Sequence, residues 1–405
     1  MEFFFGAATA SHQVEGGNHN DWTEWELENT DRLVENAERR AWPDFILRNY
    51  PNPLQKENYI SGRACDHYHR FREDFDIAKS LGHNAHRFSI EWSRIEPEEG
   101  KFDEREIEHY REVLKALRER GLEPFVTVWH WTLPVWIARK GGLLAPEFPE
   151  YFARYAETLA RAFAGVRFWI TVNEPEVVSR RGHLTGDWPP QNKSVFSYRR
   201  SLRQLIRAHR LAYVRIKASV PGAEIGIAHK MDYFESGGGF INGFLKWFID
   251  KTVNFNYLDR VRHELDFIGF NYYFHHRIYY GFNKNENKTI SDLGWEVYPG
   301  GIYHVLLKLR DYGKPIYITE NGIADAEDAR RAMFIEGHLE WIRKAVKEGV
   351  DVRGYFHWSL IDNFEWSSGF WPRFGLVEIN YKTLERKVRP SALAYKQIIA
   401  SWRKE

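Results

Sequence analysis

Ile316-Tyr317-Ile318-Thr319-Glu320-Asn321-Gly322 is a run of apolar and β-branched residues that ends in a carboxylate, an amide and a glycine. It reads as a short buried strand that stops where Glu320 emerges. A glutamate at the mouth of a buried strand is costly to keep charged unless partners are supplied. Trp169-Ile170-Thr171-Val172-Asn173-Glu174-Pro175 has the same grammar, with Pro175 stopping the ladder. Two carboxylates, each at the C-terminal end of a strand, predict a facing pair, the arrangement that cleaves glycosidic bonds.

Working outward from these two runs, strands are predicted at Phe3 to Thr9, Asn84 to Ile90, Leu122 to His130, Arg167 to Val172, Glu224 to Ala228, Asp266 to Asn271, Pro315 to Thr319 and Val352 to Trp358. Helices are predicted between them at Arg70 to Leu81, Glu104 to Arg120, Tyr151 to Phe163, Tyr198 to Ser219, Phe240 to Phe255, Ile302 to Tyr312 and Ala329 to Glu348, with a last one at Ser391 to Arg403. His12 to Gly17 reads as a loop, and Asn18 to Gly62, polar and aromatic with three prolines, as the longest irregular segment. This alternation of strand and helix, with no break in composition, predicts an α/β fold: a single (β/α)8 TIM barrel over residues 1–405. Polar residues gather at the C-terminal strand ends, namely Gln13, Arg87, His130, Asn173, Glu174, Asn271, Glu320 and Trp358. That is the end at which barrels of this kind carry their chemistry.

Composition sets the bounds. Lys plus Arg number 57 and Asp plus Glu 56 in 405 residues, so no net field draws nucleic acid or an anionic surface. The one cysteine, Cys65, excludes an intrachain disulfide. The start, Met1-Glu2-Phe3-Phe4-Phe5-Gly6, lacks the basic leader of a signal peptide, and no apolar run reaches transmembrane length. A cytoplasmic enzyme is expected. Three Met and one Cys, against many Glu and Arg, point to a heat-adapted source and a thermostable protein. Core packing accounts for much of the aromatic content, 16 Trp included, but indole rings also stack on the apolar faces of sugars.

Six segments together resemble glycoside hydrolase family 1, the β-glucosidase and β-galactosidase family. They are Phe3 to Gly17, His86 to Trp92, Thr171-Val172-Asn173-Glu174-Pro175, Gly269-Phe270-Asn271-Tyr272-Tyr273, Ile318-Thr319-Glu320-Asn321-Gly322 and Trp358 to Trp366, and they occur in the family's order. The resemblance implies a retaining, exo-acting β-glycosidase without cofactor or metal that acts on small β-glucosides, β-galactosides or oligosaccharides. Glu320 would be the nucleophile and Glu174 the acid and then the base, with Arg87 and Tyr273 supporting Glu320. Gln13, His130 and Glu365 would bind the outer hydroxyls, Asn173 the 2-hydroxyl, and Trp358 and Trp366 would supply the platform and an indole donor. Asn271 joins the supporting set. Glu365-Trp366 stands where phosphorylated-sugar members carry other residues, which implies unphosphorylated glycosides. Thr132 stands where many relatives have Asp, a departure that bears on local packing.

Two rivals remain. A silent glycan-binding barrel would need one of the carboxylates lost. An endo-acting cellulase would need an open groove, whereas the segments Asn18 to Gly62 and His275 to Gly294 suggest a closed pocket. His67-Tyr68-His69 alternates like a ligand pair but leads into a helix with no third ligand in view, so no metal is expected. His275-His276 lies after the sixth strand, near the aglycone side of the cleft. The stripe Phe240, Phe244, Trp247 and Phe248 has helical spacing. Packing on the barrel is the plain reading of it, and a homo-oligomer or membrane-surface contact the sharper one.

Overall fold

The computed structural model describes residues 3–282 and 284–404. Eight parallel strands close into a barrel in the order β1-β8-β7-β6-β5-β4-β3-β2. They are β1 (Phe4–Ala8), β2 (Ala85–Ser89), β3 (Glu123–Trp129), β4 (Phe168–Asn173), β5 (Glu224–Lys230), β6 (Ile268–Asn271), β7 (Ile316–Asn321) and β8 (Val352–Trp358). The helices His67–Ser80, Glu104–Glu119, Phe148–Ala162, Val195–Ser219, Gly300–Leu309, Arg331–Lys347 and Pro390–Trp402 lie between or after them. This is the TIM barrel that the alternation predicts.

Period-two alternation sorts the strand residues. Phe4, Phe125, Phe168, Phe267, Tyr317 and Phe356 share one buried cluster inside the barrel, with Phe125 and Phe168 stacked at 4.1 Å between ring centroids. Their neighbours Phe5, Val126, Trp169, Ile268, Ile316 and Ile318 belong to the larger core under the helices. The aromatic floor fills one end of the barrel, so the site can open only at the other.

Alternation alone would turn Glu320 outward, because Tyr317 faces in and Ile318 out. β7 avoids this with one extra residue. Ile318 pairs with Phe270 of β6, and the next partner of Asn271 is Glu320. Against β8, Ile318 pairs with Tyr355 and Asn321 with His357. Both neighbours thus see the same bulge, and a bulge re-aims the side chain after it. β4 carries a comparable shift against β5, between Ile170 and Asn173. Gly269 makes room for the bulge of β7: a Cβ there would lie 2.5 Å from Ile227 O and 2.7 Å from Thr319 Cγ2.

The segment Asn18 to Gly62 corrects the expectation of irregular chain. It holds an 18-residue helix, Asp21–Glu38, and shorter turns of helix at Asp44–Leu47 and Lys56–Tyr59. Asn20 caps the long helix by accepting from the backbone of Trp22 and Thr23, while Thr23 Oγ1 accepts from Asn20 N. His12 also departs from expectation, lying in the short helix Ser11–Val14. The aromatic stripe is a further correction. It sits on the helix Gly239–Asp250, but Phe240, Phe244, Trp247 and Phe248 are exposed rather than packed on the barrel.

Candidate active site

Glu174 follows β4 and Glu320 lies near the end of β7. Both are buried, and both line one cavity of about 550 Å3 with His130, Tyr273, Trp358, Glu365 and Trp366. Glu174 has φ 41° and ψ 62°, in the left-handed region that non-glycine residues seldom adopt. Its N–H donates to Ala228 O at 2.7 Å, and Pro175 opens a helix directly after it. The strained backbone is held where the carboxyl meets the cavity.

The two acids are supported differently. Arg87, inward-facing on β2, donates from Nη1 to Glu320 Oε1 at 2.6 Å. Tyr273 donates its hydroxyl to Glu320 Oε2 at 2.9 Å. Glu174 receives one neutral amide, Asn271 Nδ2 to Oε1 at 2.7 Å. Burial, then the charge of Glu320, pushes Glu174 up to about 8. Burial also raises Glu320, and Arg87 and Tyr273 offset part of that rise. The proton shared by the pair therefore belongs on Glu174.

A buried amide network fixes the geometry behind the wall. Asn173 Oδ1 accepts from Arg87 Nη2 at 2.6 Å and from Asn271 Nδ2 at 3.3 Å. Its amide orientation is thereby set, and its Nδ2 faces His130 Nε2 at 3.1 Å. His130 is held neutral, well below its usual range, by burial and then by Arg87. A neutral ring that accepts at Nε2 carries its proton on Nδ1. Nδ1 is buried with no hydrogen-bond partner among the described residues. Thr319 Oγ1 donates to Asn271 Oδ1 at 2.7 Å and fixes that amide in turn.

The remaining expected residues divide by depth. Gln13, Asn173, Arg87 and Asn271 are fully buried behind the wall rather than on it. Gln13 Nε2 donates to Phe364 O at 2.7 Å and reaches Glu365 Oε2 at 3.4 Å, while its Oε1 has no partner among the described residues. Among the described residues no cation forms an ion pair with Glu365, and burial followed by the charge of Glu320 pushes it up to about 8. His276 lines the cavity and His275 does not. Thr132 has a local reason: its hydroxyl donates to the buried Glu91 at 3.0 Å, where a second carboxylate would repel.

Sequence reading missed the outer wall. Lys230 at the end of β5 pairs with Asp232 at 2.5 Å, and His276 Nε2 lies 3.3 Å from the same carboxylate. Arg181, Trp188 and Trp295 line the same cavity. The signal available was position, since Lys230 ends a strand and Asp232 comes just after it, much as Glu174 follows β4.

The model of glycosyl hydrolase family 1 matches residues 1–237 and 249–404. The chain belongs to that family. As a member it is a retaining, exo-acting β-glycosidase. Among similar proteins, beta-glucosidase A of Thermotoga maritima is 33% identical over 448 aligned residues, covering 98% of this chain and 96% of that protein. The beta-galactosidase of Pyrococcus woesei is 28% identical, covering 99% and 96%. Of solved structures, the beta-glycosidase from Pyrococcus horikoshii superposes with a TM-score of 0.87 at 37% identity, covering 98% of this chain and 94% of that one. The Thermotoga maritima beta-glucosidase in complex with glucoimidazole gives 0.86 at 32% identity, covering 98% of each chain. These thermophilic relatives agree with the heat-adapted composition of this glycosidase.

Proposed function

We propose that this family 1 glycosidase hydrolyses unphosphorylated β-D-glucosides and β-D-galactosides, with Glu320 as nucleophile and Glu174 as acid and base. The observation that carries the assignment is the unequal support of the two carboxyls. Glu320 has a guanidinium on one oxygen and a phenol on the other, whereas Glu174 has one amide. A carboxylate held ionised attacks the anomeric carbon. A carboxyl held protonated gives its proton to the leaving oxygen.

Glu320 displaces the aglycone to form a glycosyl ester, and the aglycone leaves as an alcohol with the proton of Glu174. The ester carries no charge, so the repulsion that kept Glu174 protonated is gone. Glu174 then takes a proton from water as the water attacks the anomeric carbon and expels Glu320. His130 and Glu365, which both line the cavity, bind the ring hydroxyls, and Gln13 steadies Glu365 from behind the wall. Trp358 supplies the apolar platform.

The test is Glu320→Gly with an aryl β-glucoside. Hydrolysis should fall by at least about 10⁴-fold while the far-UV CD spectrum is kept. Added azide should restore turnover with a glycosyl azide of inverted configuration. A variant as active as wild type would remove Glu320 from the chemistry.

A further inference from the structure

The helix Gly239–Asp250 is inside out. Its buried residues are the polar Asn242 and Asp250, while Phe240 is 90% exposed and Ile241, Phe244, Trp247 and Phe248 are each more than half exposed. Buried polar bonds lock this orientation. Asn242 accepts from Tyr280 N at 2.8 Å. Asp250 takes Lys308 and Asn254. Rolling the helix over to hide its aromatics would strand those groups. The bond to Tyr280 also ties the helix to a second exposed set, Tyr279, Tyr280 and Phe282.

Two observations separate this face from barrel packing. The family match breaks off over residues 238–248, the part of the chain that carries most of the patch. The patch also runs into the site, because Val253 is exposed and, with Thr252, lines the active-site cavity. Its rim is cationic. Across residues 237–256 and 279–290 the exposed charged residues are Lys251, Lys284, Lys288 and Glu286. Glu286 is already paired with Arg277, and Lys251 with Asp259 at 2.9 Å.

We propose that this face docks on the headgroup region of a lipid bilayer. The Phe and Trp rings enter the boundary with the acyl chains, and the lysines meet lipid phosphates. Trp, Tyr and Phe mixed with lysine is the chemistry of an interfacial helix. No helix among the described residues is long and apolar enough to cross a membrane, so the contact lies on the surface. A twofold pairing of this face with its own copy would bring the lysine rim against itself. Docked this way, the mouth of the glycosidase cavity opens beside the lipid.

Flotation with phosphatidylcholine vesicles, with and without a quarter phosphatidylglycerol, tests the proposal. Wild type should float with both and more strongly with the anionic ones, and salt should weaken only the anionic increment. The variant Phe240→Ser/Phe244→Ser/Trp247→Ser/Phe248→Ser should lose at least about 100-fold in partitioning. Its hydrolysis of a soluble aryl glycoside should stay within about twofold of wild type, since none of the four residues lines the active-site cavity. Should that variant fold poorly, Lys284→Glu/Lys288→Glu should still lose the anionic increment. Wild type that floats with neither vesicle overturns the proposal. If it is instead a dimer by sedimentation equilibrium, and the serine variant is a monomer, the face belongs to a second copy.

Discussion

Arg87 Nη1 lies 2.6 Å from Glu320 Oε1, and both side chains are buried. The guanidinium also spans Thr127 Oγ1, Thr319 O and Asn173 Oδ1. One cation thus holds the proposed nucleophile and the amide that faces His130. Arg87→Met keeps much of the volume and removes the charge. Glu320 should then hold its proton to higher pH, because an adjacent cation is worth about 1–3 pKa units to a carboxylate. The acid limb of kcat/KM should move up by about one unit or more, with at least about a 100-fold loss at the optimum. A pH–rate profile in which the acid limb does not move would show that Arg87 serves packing alone.

Glu174, pushed up to about 8 by burial and by Glu320, sets the opposite limb. Activity needs its proton, so kcat/KM should fall as pH rises through about 8. Glu365 also lies near 8, so the limb needs an assignment. Glu174→Gln should abolish the limb for a dinitrophenyl glycoside, whose leaving group needs no proton, and azide should speed its second step. Stability carries the same signature. The folded state binds the extra proton, so wild type loses stability as pH rises from about 4.5 to about 8. Glu174→Gln lacks that penalty, and its Tm should exceed that of wild type most clearly at pH 8.

Much of this site is legible in the sequence because strand ends are. A run such as Ile316 to Thr319 declares a buried strand, and the next charged residue must emerge at its end. Register is not legible in this way. The extra residue in β7 that turns Glu320 inward is a difference between pairings with β6 and β8, which no single run records. Periodicity likewise finds the stripe from Phe240 to Phe248 but not the side it faces. That side was settled by Asn242 and Asp250, whose partners lie elsewhere in the chain. The helix Asp21–Glu38 was hidden by its polar composition, although Asn20 and Thr23 spell its cap.

The loop after β8 that carries Glu365 is anchored by Asp362. Arg389 donates to both of its oxygens, at 2.8 and 2.9 Å, and Gly375 N adds a third bond at 2.9 Å. Burial raises the carboxyl, but Arg389 and Arg373 outweigh it and leave Asp362 below the ordinary range. Its contribution is therefore present above the unfolded pKa of about 3.9 and is lost as pH falls through the lower folded value. Arg389→Met should cost about 3–5 kcal/mol at pH 7 by stranding a buried carboxylate. Asp362→Asn in that background should recover part of the loss in urea unfolding. Equal stability of the single and double variants would mean that Asp362 is not held charged.

Gly269 lets the bulge of β7 exist, since Thr319 occupies the space a Cβ would fill. Gly269→Ala should push Thr319 away and carry Glu320 and Asn271 off their positions. A displacement near 1 Å at a reacting group costs about 100-fold in rate. The variant should also lose about 1–3 kcal/mol from overpacking, so stability alone does not isolate the effect. Gly226 supplies the comparison. A Cβ there would meet Phe267 at 2.5 Å, in the aromatic floor below the site. Gly226→Ala should lose similar stability yet keep kcat within about fivefold, because the atoms its Cβ would meet belong to Phe267 and not to the bulge of β7. If both variants lose turnover to the same degree at a temperature where both are folded, the bulge is not what aims Glu320. A loss confined to Gly269→Ala would make register, and not the identity of the acid alone, a requirement for catalysis.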